Sequence, residues 1–238
     1  MFSYKMWKEY LLQRYVIDLH HMPLLIMMAV VAARSENILA LALAAIANYV
    51  MTVFAFMYND VADRVEDGKS PGKRFKNPFS YNIWSLPYGA FLLALQVVFS
   101  LAVSWWIGGW VLFVIAAINL IFGYLYSSNF IRLKGLPLID LLSHSFLLGG
   151  VTILYFMFIP GAMIDVWSWL IFAAVMLFSI GGDLHNEYRD FEDDREAGLS
   201  NTASFIGKDA SQKLAKVAWV ISALSAVVGI IGAIGSLL

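Results

Sequence analysis

Seven runs of about twenty mostly apolar residues, near 16–34, 37–58, 83–103, 105–127, 136–159, 165–186 and 212–237, limit what this chain can fold into. A helix of about that length crosses a bilayer, and inside lipid its backbone N–H and C=O groups must bond within the segment itself. Only 14% of the 238 residues are charged, against about 25% in soluble domains, so the chain cannot cover a water-facing surface. The expected fold is all-α: a polytopic membrane bundle of about seven transmembrane helices, forming a single domain over 1–238. With no cysteine, disulfides and thiolate metal sites are excluded. A net charge of −1 gives no sign of a nucleic-acid partner.

The first run needs a choice between signal peptide and helix. Leu24 to Ala33 is short and apolar, but a long polar lead-in, Asp18 and Pro23 argue for a retained helix. Within residues 1–15, Lys5, Trp7, Lys8, Tyr10 and Arg14 resemble an amphipathic interfacial segment. Ser104 and Pro160-Gly161 mark tight turns on one side of the membrane. Longer polar loops at about 60–82, 128–135 and 187–211 fall on the other. Of the sixteen lysines and arginines, fifteen lie on the long-loop side and only Arg34 on the short-turn side. The positive-inside rule makes the long-loop side cytoplasmic, with the cell membrane as the expected location. Asp209, with Gln212 three residues on, reads as the capping box of the last helix.

Two of the long loops open on acidic patterns. Asn59-Asp60-x-x-Asp63-x-x-x-Asp67 puts three carboxylates at i, i+3 and i+7, on one helical face. The spacing returns in Asn186-Glu187-x-x-Asp190-x-x-x-Asp194, with Asp183 one turn earlier on that face. Each position is displaced by 127 residues: 60 to 187, 63 to 190, 67 to 194. An offset of four helices preserves orientation and suggests two parallel repeats, helices 1–4 echoing helices 5–8 in a sequence that stops at helix 7. Carboxylates so arranged repel one another unless a divalent cation joins them. Oxygen-only donors suit Mg²⁺, with Mn²⁺ as an alternative.

Basic residues flank both patterns: Lys69, Lys73, Arg74 and Lys76 after the first, Arg132 and Lys134 between helices 4 and 5. Carboxylates, metal and cations together fit a pyrophosphate at the membrane surface, with a hydrophobic tail among the helices. The positive-inside bias alone would also produce basic loops, so Lys69 to Lys76 have two readings. His144 reads as a hydrogen-bonded interior histidine. Asp140, inside the membrane run, is a functional candidate by default.

At these residues the chain resembles the UbiA superfamily of intramembrane prenyltransferases. Asn59-Asp60-x-x-Asp63-x-x-x-Asp67 is similar to that family's NDxxDxxxD. Asp190-x-x-x-Asp194, followed by Gly198 and Thr202, is similar to its second motif. Tyr126-Ser127 with Arg132-Leu133-Lys134-Gly135 resembles the family's loop after helix 4. The resemblance implies helices around a central cavity, with Mg²⁺ held by Asp60, Asp63, Asp67, Asp190 and Asp194 against an isoprenyl diphosphate. Asn59 and Asn186 would orient the assembly, and Arg132 and Lys134 would hold the diphosphate with Lys73, Arg74 or Lys76. Tyr126, Asp183 and Glu187 complete the expected substrate surface. Family members carry nine helices where seven are readable here. Asn77-Pro78 stands where an arginine-proline pair is frequent, and His20-His21 where many have arginine. These departures bear on the acceptor pocket and tail length rather than the metal site.

The implied reaction is transfer of a prenyl group from isoprenyl diphosphate to a hydrophobic acceptor. A terpene cyclase of the same superfamily would form the same cation and let the substrate's own double bonds attack it. A non-catalytic carrier or transporter is a third reading. It fits less well, because the carboxylates sit at helix ends and not at the bilayer midplane.

Overall fold

The computed structural model describes residues 19–69, 76–80, 83–196, 198 and 200–238, together with Leu12 and Val16. Lys5, Trp7, Lys8, Tyr10 and Arg14 of the expected lead-in therefore lie outside the described residues, as do Lys73 and Arg74. All regular structure among the described residues is helical.

Helix α1 (Met22–Ala33) opens on Pro23, whose missing N–H is not needed in a first turn. Where the sequence suggested a start near residue 16, the continuous described helix begins at Met22. It buries Ala29, Ala32 and Ala33 completely. Small residues suit such a face, since close backbone approach drives helix association in lipid. The expected second run, 37–58, becomes α2 (Ile38–Asp67), capped by Asn37 Oδ1, which accepts from Ala40 N at 3.0 Å. It passes through the first acidic pattern because nothing before Gly68 breaks a helix. Its thirty residues span about 45 Å, so its last turns carry the motif beyond a hydrocarbon layer of about 30 Å.

The next helical stretch, Leu86–Ser127, is broken at Gly108 (φ −140°) and Gly109 (φ 57°, ψ −140°) into limbs α3 (86–107) and α4 (110–127). A backbone like that of Gly109 is open only to glycine. The limbs run opposite ways along α2. Gln96 of α3 lies against Met57 and Gly89 against Val61, whereas α4 places Asn119 on Met51 and Ser127 on Asn59. The turn expected at Ser104 is therefore four residues early. Ser104 is fully buried in α3, where its Oγ donates to Ser100 O at 2.6 Å and accepts from Tyr155 Oη at 2.8 Å. A serine bonded back to the i−4 carbonyl continues a helix; two glycines end it.

Helix α5 (Ile139–Met157) contains one wide π turn, Phe146–Gly150. The turn after it holds Gly161 at φ 81°, as Pro160-Gly161 suggested. Helix α6 (Val166–Arg189) begins in a capping box made by Asp165 and Ser168. Short helices α7 (Phe191–Glu196) and α8 (Thr202–Ile206) lead to α9 (Lys208–Gly235). Asp209 is not its cap: Gly207, at φ 93°, ends α8 and is the N-cap of α9, and it has no side chain to accept from the first turn, in which Asp209 already lies. Helices α6 and α9 meet closely where Gly181 lies under Trp219 and Gly232 under Trp167.

At the short-turn end, Arg34 is not a free surface charge. Its side chain is 2% exposed, 2.7 Å from Asp165, and its Nη2 donates to Met163 O at 2.9 Å and Ser168 Oγ at 3.1 Å. One ion pair thus ties the α1–α2 connection to the start of α6.

Candidate functional site

The acidic end of α2, the connection between α4 and α5, and the segment after α6 come together at the opposite end of the bundle. Asp63 is paired with Lys134 Nζ, which also donates to Asn59 Oδ1 at 3.0 Å. Ser127 Oγ donates to the same Asn59 oxygen at 2.7 Å. Arg132 closes a two-pronged contact on Glu66, at 3.0 and 2.6 Å, and lies 3.7 Å from Asp63. The Glu66 hydrogen bond raises the basicity of Arg132 against the opposing effect of burial, with Asp63 adding to the rise. The guanidinium is therefore charged at every accessible pH. Arg132 (φ 50°) and Leu138 (φ 69°) hold left-handed backbones in this connection. Leu138 N is fixed by Thr202 Oγ1 at 2.7 Å.

The last carboxylate of each motif has the same kind of partner. Asn77 Nδ2 donates to Asp67 Oδ2 at 2.9 Å and to Asp60 O at 2.7 Å. Asn201 Nδ2 donates to Asp194 Oδ2, also at 2.9 Å. Each asparagine uses its Oδ1 to start the next turn, Asn77 accepting from Phe79 N and Asn201 from Ser204 N. The echo is thus carried beyond the carboxylates into the kind of partner they have, although Asn77 and Asn201 are 124 residues apart and not 127. It is inexact elsewhere: α2 runs unbroken through its motif, whereas α6 stops at Arg189, Asp190 bends away and Asp194 belongs to α7.

Asp60 is buried to 1% and Glu187, its counterpart, to 8%. Glu187 Oε2 accepts from Ala203 N at 2.7 Å, and Asp140 accepts from Thr202 N at 2.6 Å and from Thr202 Oγ1. The first turn of α8 therefore rests on two buried carboxylates. Asp190 pairs with its neighbour Arg189 at 3.0 Å, and the Asn186 side chain is exposed. Lys76 is exposed in the segment leading to Asn77. One turn into the bundle from Asp63, Asn59, Tyr126 and His144 line a cavity of about 180 Å³ together with Ala55, Phe56, Leu147 and Leu148. Tyr126 lies within electrostatic reach of Asp183, Asp140, Glu187 and Asp63, so it sits between the two motifs.

Asp63, Asp67, Asp190 and Asp194 are thus each matched to a cation or an amide. Among the described residues no three acidic or histidine groups converge closely enough to hold a metal ion. The donor set is nevertheless that of a hard cation: carboxylates only, from two helix ends, beside two basic side chains. Glu66 and Asn77 escaped the sequence reading. Glu66 falls off the i, i+3, i+7 face, and Asn77 was visible only as a departure from an expected arginine.

This arrangement defines an integral membrane protein with a layer of acidic and basic side chains capping an all-helical bundle. The chain matches the UbiA prenyltransferase family over residues 21–238 and belongs to that family. No curated protein sequence matches it. Among solved structures, a UbiA homolog from Archaeoglobus fulgidus bound to GPP and Mg²⁺ is similar at TM-score 0.72 and 21% identity, covering 94% of this chain and 86% of that one. The apo UbiA homolog from Aeropyrum pernix K1 gives TM-score 0.74 at 20% identity, over 89% and 78%. A structure described for digeranylgeranylglyceryl phosphate synthase gives 0.76 at 17% identity, over 97% and 99%. These similarities confirm the helical fold.

Proposed function

We propose that this protein is a Mg²⁺-dependent intramembrane prenyltransferase acting on an isoprenyl diphosphate. The observation that carries the reading is the Lys134–Asp63–Asn59 contact beside the Arg132 fork, at the mouth of an apolar-walled cavity. It supplies cations for the diphosphate and oxygen donors for a metal, with space for a hydrocarbon below them. The family membership supports it, as does the Archaeoglobus homolog's binding of GPP and Mg²⁺.

Asp60, Asp63, Asp67, Asp190 and Asp194 would hold Mg²⁺. The ion would supply Lewis-acid stabilisation of the departing pyrophosphate. Lys134 leaves Asp63 for a phosphate oxygen, and Arg132 presents paired donors in a plane fixed by Glu66. Asn59 and Tyr126 bound the space where the allylic carbon ionises, and the aliphatic and aromatic walls keep water from it. Transfer of the cation to a hydrophobic acceptor is the preferred outcome. The motif end of the bundle faces the cytoplasm, on the fifteen-to-one distribution of basic residues.

The test is incubation of the purified protein, in lipid nanodiscs, with labelled allylic diphosphates of several lengths, with and without a phenol or quinone acceptor. Mg²⁺- or Mn²⁺-dependent pyrophosphate release is expected, abolished by Asp63→Ala and by Asp190→Ala. Full turnover in EDTA would remove the metal from the proposal. Cyclic products formed without acceptor would replace transfer by cyclisation.

A further inference from the structure

Capture of an allylic cation leaves one proton to be removed, whether the captor is an acceptor hydroxyl, a ring carbon or water. The basic side chains of the diphosphate layer are already protonated and its motif carboxylates are matched to cations or amides, so apart from the departing pyrophosphate a base is to be sought in the cavity. One turn deeper, His144 lines the same cavity as Asn59 and Tyr126. Its Nδ1 lies 3.2 Å from Ser179 Oγ, and its Nε2 is 3.8 Å from Asp183 Oδ1. That second separation is too long for a hydrogen bond, so the imidazole is oriented by Ser179 and keeps one nitrogen uncommitted. Asp183 is itself poised. It is 8% exposed, and its Oδ2 is buried with no hydrogen-bond partner among the described residues.

A histidine that served only packing would be expected to satisfy both nitrogens. This one lines a cavity with one nitrogen outside hydrogen-bond distance of its neighbour, beside a carboxylate with spare acceptor capacity. Other groups around it among the described residues include Tyr126 from α4, Asn59 from α2, His21 ahead of α1, and Asp140 one turn back on α5. We infer that His144, backed by Asp183 and oriented by Ser179, is the proton acceptor that completes cation capture.

In that step the C1–O bond of the diphosphate breaks, and its electron pair leaves with pyrophosphate. An electron pair of the acceptor forms the new bond to C1. The acceptor's proton passes to Nε2 of His144, while Nδ1–H donates to Ser179. Asp183 stabilises the imidazolium, and the proton returns to solvent when the product leaves. The inference rests on the proposed ionisation of an allylic diphosphate, and it holds for transfer, cyclisation or hydrolysis, since each ends by losing a proton.

Geranyl diphosphate carrying ¹⁸O in the C1–O bridge separates the two halves of the reaction. Scrambling of the bridge label into non-bridging positions reports ionisation alone. Geraniol, with water as captor, or an adduct with 4-hydroxybenzoate, reports capture and proton loss. His144→Gln should keep Mg²⁺-dependent scrambling within about threefold of wild type while product formation per scrambling event falls by about a hundredfold, the lower end of general-base contributions. Asp183→Asn should show the same split with about a tenfold fall, and it carries the test if His144→Gln does not fold. Equal losses of scrambling and product would mark a structural role and overturn the assignment, as would unchanged product yield. A wild-type protein that neither scrambles nor releases pyrophosphate would instead overturn the proposed function on which the assignment stands.

Discussion

Replacing Lys134 with Met should move two affinities in opposite directions. In the structure Lys134 Nζ holds Asp63 and Asn59, with side-chain exposures of 19% for the lysine and 15% for the aspartate. Mg²⁺ arriving without diphosphate must displace this ammonium. Diphosphate arriving with Mg²⁺ gains it as a ligand. A hydrogen bond to a charged group contributes about 1.5–3 kcal/mol, and this pair is too sheltered to be discounted to the level of a surface bridge. Removing the competitor should therefore tighten Mg²⁺ binding to the free protein by roughly tenfold or more, whereas kcat/KM for the diphosphate should fall by about ten- to a hundredfold. Mn²⁺ titration followed by electron paramagnetic resonance gives the first quantity, and steady-state pyrophosphate release gives the second. Methionine keeps the length and apolar stem of the side chain, so folding should be unaffected. If metal affinity falls along with activity, Lys134 supports the carboxylates instead of competing for them, and the reasoning is wrong.

Other expectations test the frame around the site. Burial works against the charge of Asp165, but the Arg34 guanidinium and the Ser168 and Trp167 amides outweigh it and hold its carboxyl below the usual range. The stability this contributes is present above about pH 4, and it is lost as pH falls through the lowered folded value. Asp165→Asn should flatten that acid-side loss in a thermal melt. It should also lower stability at neutral pH by about 3 kcal/mol, the lower end for stranding a buried partner, since Asp165 itself is partly exposed. Gly109→Val should cost about 1–3 kcal/mol by forcing a β-branched residue into a backbone reserved for glycine, seen as a lowered melting temperature with little change in KM. A single cysteine placed at Lys76 should resist an impermeant thiol reagent in intact cells and react in inside-out vesicles; the reverse pattern would invert the topology.

The parts legible in the sequence were those with a period or a sign. Apolar runs gave the helices, and the i, i+3, i+7 carboxylates gave the helical end of α2. The lone Arg34 was correctly set apart from the other basic residues, yet its burial was not visible, because its partner Asp165 is 131 positions away (165 − 34). Ser104 misled because a polar residue in an apolar run looks like an interruption. In lipid a serine satisfies itself on the preceding turn, while Gly108 and Gly109, with no polar side chain to mark them, do the breaking. Asn77 and Asn201 stayed hidden for a related reason. An asparagine in a loop reads as turn chemistry, and here each serves the turn with its oxygen and a motif carboxylate with its nitrogen.

The two ends of the bundle differ in how they are fastened. Away from the motifs, helices α3 and α4 join through two glycines, and α1 and α6 are clamped by Arg34 and Asp165. At the motif end, the long segments are held by contacts of lysine, arginine and asparagine side chains on carboxylates. Such a molecule is built like a bouquet tied at the stems: on the proposed function, admitting a charged-headed lipid would loosen the motif end and leave the knot shut.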